Sequence, residues 1–151
     1  MSAAGNRWLL LAGAGSVLAA LLHFACIIGG PAWYRTLGAG EGIARMAAQG
    51  HWYPTAITVA ISLVLIGWGL YAWSGAGLIG RLPLLRTALL AITAVYLLRG
   101  VAFVLLQPYF PGNSVAFWFW SSAICLALGL LHAVGLRQAW PRLSPRPSRR
   151  L

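Results

Sequence analysis

The chain has 151 residues, of which 60% are hydrophobic and only 8% are charged. Soluble domains carry about 25% charged residues, so this composition excludes a water-soluble globular enzyme and an intrinsically disordered chain. The 11 basic residues are all arginine, and a single acidic residue, Glu41, leaves a net charge of +10. We therefore expect one small, all-α integral membrane domain.

Four uninterrupted apolar runs predict an antiparallel bundle of four transmembrane helices. A span must be helical because every backbone polar group has to bond within the segment, and it needs about 20 apolar residues to cross the hydrocarbon core of about 30 Å. Pro54 and Pro83 fall in first helical turns, where the missing N–H is tolerated. The predicted spans are residues 8–29, 54–74, 83–106 and 114–136.

The first connection, residues 30–53, is long and predicts a short helix over residues 41–49. Gly50 follows this segment at the usual position of a glycine that ends a helix. Ile43 and Ala47 share one apolar face at helical spacing. We expect this short helix either to lie in the outer membrane interface or to cover the mouth of the bundle.

The arginines divide unequally between the two predicted sides of the membrane. Only Arg35 and Arg45 flank the outer ends of the spans, whereas eight arginines flank the other ends. The positive-inside rule then places both termini in the cytoplasm. Residues 137–151 are basic and rich in proline, which predicts a disordered cytoplasmic tail. The small size and the use of arginine in place of lysine favour the inner membrane of a bacterium.

The high positive charge does not indicate nucleic-acid binding, because it is concentrated beside the predicted membrane and comes with no base-reading motif. It is expected to attract anionic lipid headgroups.

Each predicted span also carries a stripe of small or polar residues at helical spacing, through which membrane helices pack. The stripes are Ser16, Ala19, Ala20, His23 and Cys26; Thr55, Thr58, Ser62 and Gly69; Thr93, Tyr96, Arg99 and Gly100; and Trp118, Ser122, Cys125, Gly129 and His132.

Arg99 is the exception among these interior positions, because a charge at the centre of a span costs about 3 kcal/mol. Counted from the ends of their spans, Arg99 and His23 both lie about 10 Å below the outer surface. Arg99 could extend outward to the headgroups, or it could pair with Glu41 or with a bound anion such as a lipid phosphate. Glu41 also has a local interpretation, since it begins a helix and precedes Arg45 at i+4.

The outer half of the predicted bundle gathers most of the aromatic and titratable side chains. This asymmetry predicts a polar, aromatic-lined pocket beneath residues 30–53, of the kind that holds an amphipathic ligand. Arginine suits phosphate or carboxylate, so we expect a lipid or quinone-like ligand and a non-enzymatic binding or accessory role. The candidate ligand-binding residues are His23, Trp33, Tyr34, Arg35, Glu41, Arg45, His51, Tyr53, Tyr96 and Arg99.

The sequence indicates no catalytic residue, cofactor or metal. His23 and Cys26 fall short of the four ligands of a closed zinc site, and His23 and His132 lie at different depths for an axial haem pair. Two other functions stay open. A transporter or channel subunit would have to act as an oligomer, and a membrane enzyme would use His23, Glu41 and Tyr96 for acid–base chemistry. The expected partners are membrane lipids, an amphipathic small molecule, and a second copy or another membrane protein, but no nucleic acid.

Overall fold

The computed structural model describes residues 5–109 and 113–143, and every regular element within them is helical. Helices α1, α3, α4 and α6 pack side by side, α1 against α3 and α6, and α4 against α6 and α3. We call the end where α1 begins and α6 ends the base, and the opposite end, which carries α2, the loop end. The helices are α1 (Arg7–Thr36), α2 (Glu41–Ala48), α3 (Trp52–Ala76), α4 (Leu85–Val101), α5 (Phe103–Leu106) and α6 (Val115–Leu143), with a 3-10 turn at Gln107–Tyr109.

Three helices of the described residues, α1, α3 and α6, are long and apolar enough to cross a membrane. The chain therefore has the make-up of a membrane protein. Helix α4 has only 17 residues, a length of about 26 Å, and it is shorter than the predicted span 83–106. It starts late because Leu84 has a left-handed φ of 51°, which is outside the helical region. It breaks at Ala102, and no described contact accounts for that break.

The first predicted span ends as expected at Gly30, but the helix then resumes. Gly30 has φ 65° and ψ −151°, a conformation that glycine adopts readily and other residues do not. Pro31 stands directly after it, in the first turn of the resumed helix, where its missing N–H has little cost. α1 thus bends at Gly30 and continues to Thr36, so the chain turns towards α2.

The short helix predicted in the first connection is confirmed, one residue shorter than expected. It covers Glu41–Ala48, with Gln49 as its C-cap residue and Gly50 following at φ 72°. Ala44 is fully buried against Cys26 and Tyr34. Helix α2 therefore folds back over the loop end of α1 and also contacts α3.

The interior is lined by the small and polar residues that the sequence places at helical spacing. Thr55 is an exception, because it is exposed. The helices come close where glycines permit it: a Cβ atom on Gly100 would lie 2.9 Å from the Leu126 backbone. The buried members of the stripes are Ser16, Ala20, Cys26, Thr58, Ser62, Gly69, Thr93, Tyr96, Gly100, Trp118, Ser122, Gly129 and His132.

Helix α6 continues past residue 136, the predicted end of the fourth span, to Leu143. This corrects the prediction that disorder begins at residue 137. The added segment is helical because it has something to pack on: Ala139 and Leu143 are buried in one cluster with Leu9 and Leu89. The rest of the predicted disordered tail, residues 144–151, lies outside the described residues.

Candidate functional site

Arg99 lies in the last turn of α4, and its half-buried guanidinium group contacts α6. Nη1 donates a hydrogen bond to Ser122 Oγ at 3.5 Å, and Nη2 donates one to Ser121 Oγ at 3.2 Å. The guanidinium carbon also lies 5.2 Å from the ring centroid of Trp118, within the range of a cation–π contact. The described partners of Arg99 are thus two neutral hydroxyl groups and an aromatic ring, and none of them balances its charge.

The acidic side chain of Glu41 is engaged elsewhere. Arg35 binds both of its carboxylate oxygens, with Nε 2.9 Å from Oε2 and Nη2 3.1 Å from Oε1. This contact holds the pKa of Glu41 below its ordinary value of 4.5, and it outweighs the partial desolvation that acts in the opposite direction. The positive charge of Arg45 lowers the pKa further.

The predicted contact between Glu41 and Arg99 is therefore wrong. The turn at residues 37–40 brings Arg35 next to the start of α2. The guanidinium group of Arg35 therefore forms a bidentate contact with both carboxylate oxygens of Glu41. For the same reason Arg35, and not Arg45 at i+4, is the hydrogen-bonded partner of Glu41.

The predicted equal depth of His23 and Arg99 also needs correction. Two backbone contacts with α6 set the register, because a Cβ atom on Gly135 would lie 2.9 Å from Leu9 N and one on Gly129 would lie 3.0 Å from Leu97 N. Measured from Leu9 towards the loop end, His23 lies about 21 Å away and Arg99 only about 12 Å. Arg99 is therefore deeper in the bundle than His23, whose Nδ1–H group donates to the Ala19 carbonyl oxygen at 2.7 Å.

Several other predicted site residues point away from the bundle. Trp33 is 45% exposed and Tyr53 is 41% exposed, and Arg45 and His51 are exposed as well. In the described part of the chain, the ten predicted residues therefore form separate groups and do not line one aromatic pocket.

Tyr34 is buried and joins two helices. Its Oη lies 3.1 Å from Thr58 Oγ1 and 3.3 Å from the Pro54 carbonyl oxygen. Thr58 donates to that same carbonyl at 2.7 Å. This network ties the loop end of α1 to α3, so the position of Tyr34 is that of a structural contact beneath α2.

A second polar cluster, which sequence reasoning did not assemble, lies in the middle of the bundle. The Tyr96 ring lies 5.2 Å from the His132 ring and 5.0 Å from Trp68, measured between centroids. His132 is fully buried, and its Nδ1 lies 2.9 Å from the Leu128 carbonyl oxygen. Because a carbonyl only accepts, Nδ1 carries the proton, which leaves Nε2 without a partner among the described residues. Only the register of α4 against α6 reveals this cluster, and the sequence does not give that register.

Two recesses lie at the base. The first, of about 410 Å³, runs between α4 and α6 and is lined by Leu90, Thr93, Ala133, Leu136, Arg137 and Trp140. The second, of about 660 Å³, surrounds the start of α4, and its lining includes Arg81, Arg86, Thr87 and Leu143. Neither recess is lined by any of the ten predicted residues, because a recess depends on how helices pack and not on where polar side chains are frequent.

The three residues considered from the sequence for acid–base chemistry, His23, Glu41 and Tyr96, form their hydrogen bonds with other residues and not with one another. His23 bonds to Ala19 within its own helix, Glu41 bonds to Arg35, and Tyr96 bonds to Ser16. Within residues 5–109 and 113–143, no three His, Cys or acidic side chains are grouped so that they could hold a metal ion.

Comparison of the chain with known protein families, with curated proteins and with solved structures gives no match. The functional conclusions below therefore rest on the geometry of this chain.

Proposed function

We propose that this chain is a small multi-pass membrane protein that binds an anionic or amphipathic ligand, a lipid or a quinone-like molecule, beside Arg99 in a non-enzymatic role. The observation that carries the proposal is the unbalanced charge of Arg99. The sequence contains one acidic side chain, and Arg35 occupies both of its oxygens. Since a charge in hydrocarbon is costly without a counterion, an anion beside Arg99 would stabilise this part of the bundle.

The proposed membrane arrangement has four crossings, with α4 as the fourth. Its 17 residues equal the lower limit of about 17 for a spanning helix, and α4 packs lengthwise against α6. Both termini are then cytoplasmic by the positive-inside rule, because the base carries most of the arginines. The loop end faces the outer leaflet, in the inner membrane of a bacterium. The described arginines at the base are Arg7, Arg81, Arg86, Arg137 and Arg142.

The groups around Arg99 suit an anion or a hydrogen-bond acceptor. A guanidinium group presents a planar set of donors that fits phosphate or carboxylate. The hydroxyl groups of Ser121 and Ser122 can rotate to donate to the same ligand, and the Trp118 ring supplies an adjacent apolar surface. A phosphate headgroup or a quinone carbonyl meets these donors, whereas a cationic ligand would be repelled.

The proposal is tested by photolabelling the full chain in bilayers with two probes, a photoactivatable phosphatidylglycerol and a photoactivatable ubiquinone analogue. Labelled peptides are identified by mass spectrometry. We expect at least one probe to label the peptide that contains Trp118, Ser121 and Ser122. Arg99→Gln should weaken that labelling about tenfold, because a hydrogen bond to a charged group contributes about 1.5–3 kcal/mol.

Arg99→Lys is the matched variant, since it keeps the charge but loses the two-pronged geometry, and it should weaken labelling less than Arg99→Gln. Arg7→Gln removes one charge at the base and should leave the Trp118 peptide labelled as in the wild type. Equal labelling of this peptide in the wild type and in Arg99→Gln would refute the proposal.

A further inference from the structure

The contact between α4 and α6 differs along its length. Towards the loop end the two helices touch, since a Cβ atom on Gly100 would lie 2.9 Å from the Leu126 backbone. Towards the base Leu85 and Leu89 still share a buried cluster with Leu136 and Ala139, and beside this contact the two helices leave the recess of about 410 Å³, whose walls are almost wholly apolar. Leu90, at its edge, is 46% exposed. An apolar groove thus opens between α4 and α6 on the side of the bundle, facing away from its interior.

Arginines stand where this groove reaches the base. Arg137 lines the groove together with Trp140. The guanidinium carbon of Arg86 lies 3.6 Å from the ring centroid of Trp140, and Arg86 also lines the second recess, of about 660 Å³. Arg81 lines that recess too and donates to the Leu143 carbonyl oxygen. Three positive charges therefore surround the end of the groove.

These three charges have no carboxylate partner among the described residues. The acidic side chain of Glu41 lies at the loop end, where Arg35 binds it. The described contacts of Arg81 and Arg86 are a carbonyl oxygen and an aromatic ring. The base is thus complementary to an anion whose apolar part could occupy the groove.

We infer that the α4–α6 groove binds one anionic phospholipid, with its phosphate among Arg81, Arg86 and Arg137 and an acyl chain along Leu90 and Ala133. From Arg86 to Thr93 the groove extends about 10 Å along α4, well within one leaflet of about 15 Å. Basic pockets between membrane helices next to the cytoplasmic surface are typical sites for anionic headgroups. The site is separate from Arg99, and it rests on the proposed membrane crossing of α4.

The test uses the full chain in a non-ionic detergent with an equal mixture of phosphatidylglycerol and phosphatidylcholine, read by native mass spectrometry. We expect the wild type to retain phosphatidylglycerol preferentially. An arginine near the membrane surface changes affinity for anionic lipid about fivefold. In the double variant R86Q/R137Q, the ratio of retained phosphatidylglycerol to retained phosphatidylcholine should therefore fall about 25-fold. Arg7→Gln is the matched control, because Arg7 lies at the same end, is exposed and lines neither recess.

A second variant keeps every arginine and alters only the groove. Ala133→Leu places a larger side chain where the acyl chain would lie, and it should lower phosphatidylglycerol retention severalfold, with helicity and elution volume unchanged. Inorganic phosphate alone should not displace the lipid. The inference is overturned if R86Q/R137Q behaves like R7Q, if Ala133→Leu retains the lipid fully, if phosphate displaces it, or if the wild type shows no preference.

Discussion

The two ends of the bundle accommodate positive charge in different ways. At the base, Arg86 lies over Trp140 and Arg81 bonds to a backbone carbonyl oxygen. At the loop end, Arg35 has a carboxylate partner in Glu41, whereas Arg99 has hydroxyl and aromatic partners. The Glu41 carboxylate therefore pairs with the exposed Arg35, and among the described residues Arg99 has no carboxylate partner.

The two ends also differ in how they are packed. The base holds a cluster of seven buried apolar residues contributed by α1, α3, α4 and α6. The buried cluster at the loop end is smaller and consists of Cys26, Tyr34 and Ala44. There the chain relies on the bend at Gly30 and on individual hydrogen bonds. Packing therefore stabilises the base, and local backbone geometry and polar contacts stabilise the loop end.

The largest expected effect tests the packing of the base. Leu9 is fully buried among residues of three other helices, so Leu9→Ala leaves a cavity. We expect a loss of about 2–3 kcal/mol in the free energy of unfolding, measured by SDS titration in mixed micelles. This is the lower part of the range for buried leucine, because transfer into lipid does not drive helix association.

Leu11→Ala is the matched control, since Leu11 is 56% exposed on the same helix. Its effect should stay within about 0.5 kcal/mol. If both variants lose the same free energy of unfolding, the base is not a more tightly packed region of the bundle.

A smaller effect tests the backbone at the loop end. Gly30→Ala forces an alanine into φ 65°, ψ −151°, and we expect it to cost about 1–2 kcal/mol in the same titration. Gly42→Ala is the control, because Gly42 lies within α2 at an ordinary φ and its added Cβ would meet no atom within 4 Å. Alanine favours a helix over glycine by about 1 kcal/mol, so Gly42→Ala should be neutral or stabilising. Equal losses in the two variants would mean that the bend at Gly30 is not required.

The spacing of residues along the sequence was sufficient for part of this structure. Small and polar residues at intervals of three and four predict a buried helix face, and Ser16, Ser62 and Gly129 are buried as expected. Glycines on both sides of residues 41–49 predict a short helix, and α2 is present within one residue. In both cases the signal is local, so it needs no knowledge of how the helices are arranged.

The rest depends on the relative positions of helices, which spacing does not give. The register of α4 against α6 brings Tyr96 to His132, although the sequence assigned the two residues to opposite halves. The turn at residues 37–40 places Arg35 next to Glu41, so Arg35 and not Arg99 binds that carboxylate. The continuation of α6 to Leu143 depends on a surface for it to pack on, and Leu9, which is distant in sequence, supplies that surface.

The smallest expected effect concerns the ion pair at the loop end. The pKa of Glu41 is lowered by Arg35, so the pair stabilises the fold above the ordinary pKa of 4.5 and loses this effect as the pH falls through the lower value of the folded state. We expect α2 amides to exchange hydrogen more slowly in the wild type than in Glu41→Gln at neutral pH. The ratio of the two rates should approach one in acid, and taking the ratio removes the intrinsic pH dependence of exchange.

Glu41→Gln removes two contributions at once, the bond to Arg35 and the favourable negative charge at the start of a helix. Arg35→Gln separates them, because it removes the bond and keeps the acid. Arg45→Gln is its matched control, since it removes an equal charge that acts on Glu41 only from a distance. We expect Arg35→Gln to remove most of the protection of the α2 amides against hydrogen exchange, and Arg45→Gln to remove little of it. Equal effects of the two arginine variants would mean that Arg35 is not the main partner of Glu41, and a larger effect of Arg99→Gln would mean that Glu41 pairs with Arg99 instead.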